Sequence, residues 1–181
     1  GNELRRRDLV SPKGVSCGYL SRNKKMETTS SDQPKFEDVI EYSASENPTT
    51  AKDYLQFIRD ELIPFVDASY PTVVGDNNYY GYSLGGGFGL YTLFTKPKTF
   101  KRYIVGSPAI AFKDCPFVLD EAKAFIASGK SMDTQVYMSI GELEGYEEGL
   151  ASIGMAKNYY ILSRYLLKAD IPGLELHLKV F

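Results

Sequence analysis

The sequence predicts an α/β domain built on a mostly parallel sheet with helices on both faces. Three observations carry that prediction. Four segments, near residues 77–82, 102–107, 134–140 and 174–180, are rich in aromatic and β-branched residues or alternate apolar with polar side chains, as strands do. The stretches between them have helical apolar spacing, and strands that alternate with helices form parallel sheets. Ser83, Ser107, Glu142 and Glu144 all fall just past the carboxyl ends of predicted strands, where open α/β sheets bind ligands.

Residues 1–45 are the least regular part. Arg5-Arg6-Arg7-Asp8 opens a charged turn, and the polar stretch Ser21 to Lys35 reads as an exposed excursion. Thr49 or Thr50 is placed to cap a helix whose apolar stripe is Tyr54, Leu55, Ile58, Leu62, Ile63 and Val66. Pro64 inside that stripe has no N–H to donate, so a kink or thinning is expected there, and Tyr70-Pro71 ends the helix. After the turn chemistry of Asn77-Asn78 comes the first strand. Leu84, Phe88, Leu90, Tyr91, Leu93 and Phe94 then carry helical spacing, which stops at Thr95-Lys96-Pro97. The second strand closes at Ser107-Pro108. A short helix over Leu119 to Ser128 is stopped by Gly129, and the third strand runs into Gly141-Glu142-Leu143-Glu144. A longer helix is expected over Leu150 to Ala169, then a turn at Ile171-Pro172-Gly173 and a fourth strand to Phe181.

The 181 residues are enough for one domain with a full core, and 43% hydrophobic content marks a globular chain. A net charge of −2 offers no electrostatic attraction to nucleic acid or an anionic membrane. No apolar run approaches membrane-spanning length. Cys17 and Cys115 are isolated, and with a single histidine they make no zinc-site pattern. Neither a metal nor a cofactor is expected; the expected partner is a small-molecule substrate.

The chemistry centres on Gly81-Tyr82-Ser83-Leu84-Gly85, a match to G-x-S-x-G set between a strand and a helix, the context of a nucleophile elbow. A serine that attacks a carbonyl must project its hydroxyl clear of packed structure. A sharp strand-to-helix turn does this, and small residues at 81 and 85 let strand and helix approach. The N–H of Leu84 opens the helix without an intrahelical acceptor, so it is a candidate oxyanion donor. Ser107 and Tyr82 flank the expected mouth and are candidates for touching substrate. For the acid that orients a general base, Glu144 is the first choice and Glu142 the second; both follow the third strand. His177 is the sole histidine, but it sits mid-strand on the more polar face. At roughly 3.3 Å per residue it stands well below the strand ends, which argues against it as the base.

These residues resemble the putative esterase family of α/β-hydrolases, which includes siderophore esterases, feruloyl esterases and S-formylglutathione hydrolases. The resemblance rests on Arg7-Asp8-Leu9-Val10-Ser11-Pro12, on Phe57 to Asp67, on Gly81-Tyr82-Ser83-Leu84-Gly85-Gly86, on Val105-Gly106-Ser107-Pro108 and on Gly141-Glu142-Leu143-Glu144, in the family's order. It departs at Tyr82, where the family usually has histidine. The resemblance implies a serine carboxylic-ester hydrolase working through an acyl-enzyme on Ser83. It also implies an incomplete α/β-hydrolase fold over residues 1–181. Early strands with a second oxyanion donor would precede Gly1, and the catalytic histidine with a last helix would follow Phe181, so this stretch alone is expected to be inactive. The same fold could instead carry a non-catalytic binding protein or an acyltransferase.

Overall fold

The computed structural model describes residues 51–110, 117–146 and 154–181. The expected helix caps at Thr49 and Thr50, the arginine run, the Ser21 to Lys35 excursion and both cysteines lie outside the described residues. Four strands form one sheet, β1 (Asn78–Tyr82), β2 (Arg102–Gly106), β3 (Thr134–Ile140) and β4 (Leu174–Val180), in the order β1-β2-β3-β4. All neighbouring pairs are parallel, with Tyr82 opposite Gly106 and Gly106 opposite Ser139. The carboxyl ends of β1, β2 and β3 are therefore level with one another.

Helices fill the crossovers. They are α3 (Leu84–Thr95), α4 (Phe117–Ala127) and α5 (Met155–Ala169), preceded by α1 (Ala51–Phe57) and α2 (Ile63–Ser69). The alternation in the strands decides where the core forms. Tyr103, Val105, Val136 and Met138 turn inward and are buried with Phe88, Leu90, Leu93, Val118 and Leu162 from the helices. Each fully buried apolar side chain of this kind contributes about 1.5–3 kcal/mol. From Gly86 to Phe94 every residue of α3 is buried, so it is the central helix. The residues between these inward positions, Tyr80, Tyr82, Ile104 and Tyr137, are exposed. Among the described residues the helices thus cover one face of the sheet, not both as expected, because strands paired in chain order put successive right-handed crossovers on the same side.

Pro64 acts one turn upstream of its own position. Ile58–Leu62 forms a π-helical turn between α1 and α2, and the N–H of Ile63 reaches back to the Ile58 carbonyl. A turn widened to i→i−5 is how the helix passes a residue with no N–H to give. The expected start of the last helix at Leu150 lies outside the described residues; the other boundaries fall within two residues of those expected. Gly129 and Gly173 have φ of 63° and 80°, and the second strand stops at Gly106 because Ser107 leaves extended geometry.

Candidate active site

β1 enters α3 through a single residue. Ser83 has φ 56° and ψ −116°, a conformation sparsely populated by residues with a Cβ. Such strain, worth about 1–3 kcal/mol, persists only where the surroundings over-determine it. Here three backbone bonds do so. The Ser83 N–H donates to the Gly106 carbonyl at 3.0 Å, and the Ser83 carbonyl accepts from Gly87 at 3.0 Å and from Ala109 at 2.9 Å. The segment after β2 is thereby fastened to the first turn of α3.

Two glycines make this approach possible. A Cβ on Gly81 would stand 2.5 Å from the Gly85 carbonyl oxygen, and one on Gly87 would stand 2.4 Å from the Ala109 oxygen. Tyr79 adds a tie from below. Its hydroxyl donates to the Gly85 carbonyl at 2.6 Å, and burial holds its phenol well above the usual pKa, so it stays a neutral donor.

Ser107 closes β2 with its own positive φ, 40°, and its N–H donates to the Ser139 carbonyl at 2.8 Å. It is buried, and its hydroxyl donates to Glu144 Oε1 at 2.5 Å. The Gly141 N–H donates to the same oxygen at 3.0 Å. Glu144 is half-buried on a 3₁₀ turn over Glu142–Gly145. Glu142 is exposed, and its N–H donates to the Phe181 carbonyl at 2.7 Å. The sequence ranked these two carboxylates; among the described residues, two donors from this edge hold the Glu144 carboxylate, and none is seen on that of Glu142.

Ser83, Ser107 and Glu144 thus lie at one edge of the sheet, on three adjacent strands. The Ser107 hydroxyl, a candidate for touching substrate, donates to Glu144. Tyr82 projects onto the exposed face and lays its ring across Gly106, where an added Cβ would meet Tyr82 Cδ2 at 3.0 Å. Leu84 is the first residue of α3, and the first N–H groups of a helix have no intrahelical acceptor.

His177 is elsewhere. It lies opposite Tyr137 in mid-β4, with Nε2 2.9 Å from Glu175 Oε1, and its side chain is on the exposed face. β4 is three strand spacings from β1, roughly 14 Å. Among the described residues, no group of three or more histidine, cysteine, aspartate or glutamate side chains could hold a metal ion. No described helix is long and apolar enough to cross a membrane. A cleft of about 270 Å³ lined by Arg59, Lys96, Lys98 and Lys130 opens at the far end of α3, roughly 18 Å from Ser83, and is not part of this edge.

A parallel sheet with a buried helix after its first strand, and its polar side chains gathered at the strands' carboxyl ends, has the architecture of an α/β-hydrolase. Siderophore hydrolase EstA from Aspergillus nidulans superposes on 98% of this chain and 58% of its own, with a TM-score of 0.70 at 24% identity, which shows the fold. The family described as "Putative esterase" matches residues 21–153, and the chain belongs to it. Among curated proteins, the chain is 33% identical over 100 residues to ferri-bacillibactin esterase BesA of Bacillus subtilis, covering 54% of this chain and 34% of that protein. It is 40% identical over 78 residues to the siderophore triacetylfusarinine C esterase of Aspergillus fumigatus, covering 42% of this chain and 26% of that one. The matched stretch is about a third or less of each curated relative's length.

Sequence reasoning missed three ties at this edge: the Ala109 and Gly106 clamp on Ser83, the Tyr79 bond to Gly85, and the Ser107 bond to Glu144. The first had a partial signal, since consecutive glycines at 85–87 imply that another backbone comes close. The last had none, because 37 residues separate the partners.

Proposed function

We propose that the protein carrying this chain hydrolyses carboxylic esters through an acyl-enzyme on Ser83. The observation that carries this reading is the strained serine between β1 and α3, level with a half-buried carboxylate two strands away. A general base takes the Ser83 proton as Oγ attacks the ester carbonyl carbon. The oxyanion that forms faces the amino end of α3, where the Leu84 N–H donates and the helix dipole is positive. Collapse expels the alcohol, which receives the proton from the base, and water then releases the acid by the same steps. Glu144 is the carboxylate that orients the base, in preference to Glu142. The base is a histidine contributed from outside these residues, since His177 is on the wrong strand and face. The stretch without that base is inactive.

The relatives' printed names suggest siderophore esters as a first substrate class, and the name of ferri-bacillibactin esterase BesA points to an iron-loaded one. The experiment uses the complete gene product. A fluorophosphonate probe should label Ser83, labelling should vanish in Ser83→Ala, and the same variant should lose hydrolysis of an iron-loaded siderophore ester. A folded protein that neither takes the probe nor cleaves any ester would leave a non-catalytic binding protein as the better reading.

A further inference from the structure

We propose that Ser107 is a positioning residue that sets the Glu144 carboxylate for its work, an inference that rests on the esterase reading above. Ser107 occupies a backbone conformation, φ 40°, that glycine would adopt without strain. A serine at such a position costs strain that glycine would avoid, which points to a use for its hydroxyl. That use is visible, because the hydroxyl donates to Glu144 Oε1 at 2.5 Å, a length in the range of charge-assisted O–H···O⁻ bonds. The Gly141 N–H occupies the same oxygen at 3.0 Å. Both donors from this edge therefore converge on Oε1. Ser107 is itself tied in place: it is buried, its N–H is bonded to the Ser139 carbonyl, and its neighbour Gly106 accepts from the Ser83 N–H. One short segment, Gly106 to Ala109, thus grips the Ser83 backbone on one side and the Glu144 carboxylate on the other. It fixes the distance between nucleophile and acid.

The test compares Ser107→Gly with Ser107→Ala in the complete gene product. Both remove the hydroxyl, but glycine also relieves the backbone strain, so Ser107→Gly should melt at a higher temperature than Ser107→Ala. Loss of one hydrogen bond to a charged group corresponds to a fall in kcat of about tenfold. Both variants should show that fall, with KM within about twofold of the parent. In a Glu144→Gln background, adding Ser107→Gly should lower kcat no further. A crystal structure of Ser107→Gly should show the Glu144 carboxylate displaced or split between positions. Unchanged kcat in both variants would overturn the proposal. So would a loss that tracks melting temperature, or a loss that persists in full beside Glu144→Gln. The structural arm keeps the two readings apart. If the parent protein is never labelled at Ser83, the nucleophile assignment fails while the position of Glu144 in Ser107→Gly still decides whether Ser107 holds it.

Discussion

The carboxyl ends of β1 and β2 use one backbone device for two purposes. Each strand stops at a serine with positive φ, 56° at Ser83 and 40° at Ser107, and each serine N–H donates to the last or next-to-last carbonyl of the adjacent strand. There the likeness ends. Ser83 is half-buried, starts a helix, and among the described residues its hydroxyl has no hydrogen-bond partner. Ser107 is buried, is followed by proline, and its hydroxyl is bonded to Glu144. Among the described residues, the first position leaves its hydroxyl without a partner and the second commits one. Positive φ at a serine marks a constrained site, but what surrounds the hydroxyl decides whether it reacts or holds something else.

The largest break in this pair comes from removing the first hydroxyl. Ser83→Ala should lower turnover by roughly four to six orders of magnitude, the scale seen when a nucleophilic serine is lost, and should leave the fold intact. Against that, the loss of about tenfold expected at Ser107 is small, and the ratio between the two variants measures how far the roles differ. Ser83→Gly sharpens the contrast, since it should abolish turnover while raising stability by up to about 1 kcal/mol through relief of strain. Urea midpoints read alongside kcat would show the opposite signs. A Ser83→Gly protein less stable than Ser83→Ala would mean that the backbone there is not strained.

Next in size is the clamp between the two ends. A Cβ at Gly87 would collide with the Ala109 carbonyl oxygen, and neither partner is a flexible side chain. Gly87→Ala should cost about 1–3 kcal/mol and loosen the Ala109 bond to Ser83, so probe labelling slows along with the drop in urea midpoint. Tyr79→Phe is milder. It removes one neutral hydrogen bond to Gly85 while keeping the ring packed against Phe100 and Tyr103, and should cost about 1 kcal/mol.

The sheet was legible because its signal is local. Thr134 to Ile140 alternates buried residues with exposed or half-buried ones, and the observed strands end within one residue of those expected. The central helix was legible from its spacing and its stop at Lys96-Pro97. The resemblance that named the family rested on short runs in a fixed order. What could not be read is what joins distant segments. Nothing near Ser107 announces that it meets Glu144, and nothing near Ala109 announces that it bonds Ser83. The π-helical turn was half legible. Pro64 foretold a disturbance, but the helix places it one turn earlier, at Ile58–Leu62, where the bonding can shift to i→i−5.

His177 supplies the smallest expected effect and a sharp control. In the structure it is three strands from Ser83 and bonded to Glu175. The His177 bond, followed by the Gln135 amide, holds the Glu175 carboxyl below its usual pKa. His177→Ala should therefore raise the Glu175 pKa toward the ordinary carboxylate value, read by NMR titration of its side-chain carboxyl. The sign for stability follows from linkage. A carboxyl with a lowered folded pKa stabilises the fold above its ordinary pKa, and that contribution fades as pH falls through the lowered value. In His177→Ala the contribution is smaller and is spent at a higher pH, and the change is slight because Glu175 is solvent-exposed. Ser83 labelling and turnover should stay within about twofold of the parent. If either collapses while the fold persists, the base is on β4 after all, and the separation of Ser83 from the chain's histidine is not what this geometry implies.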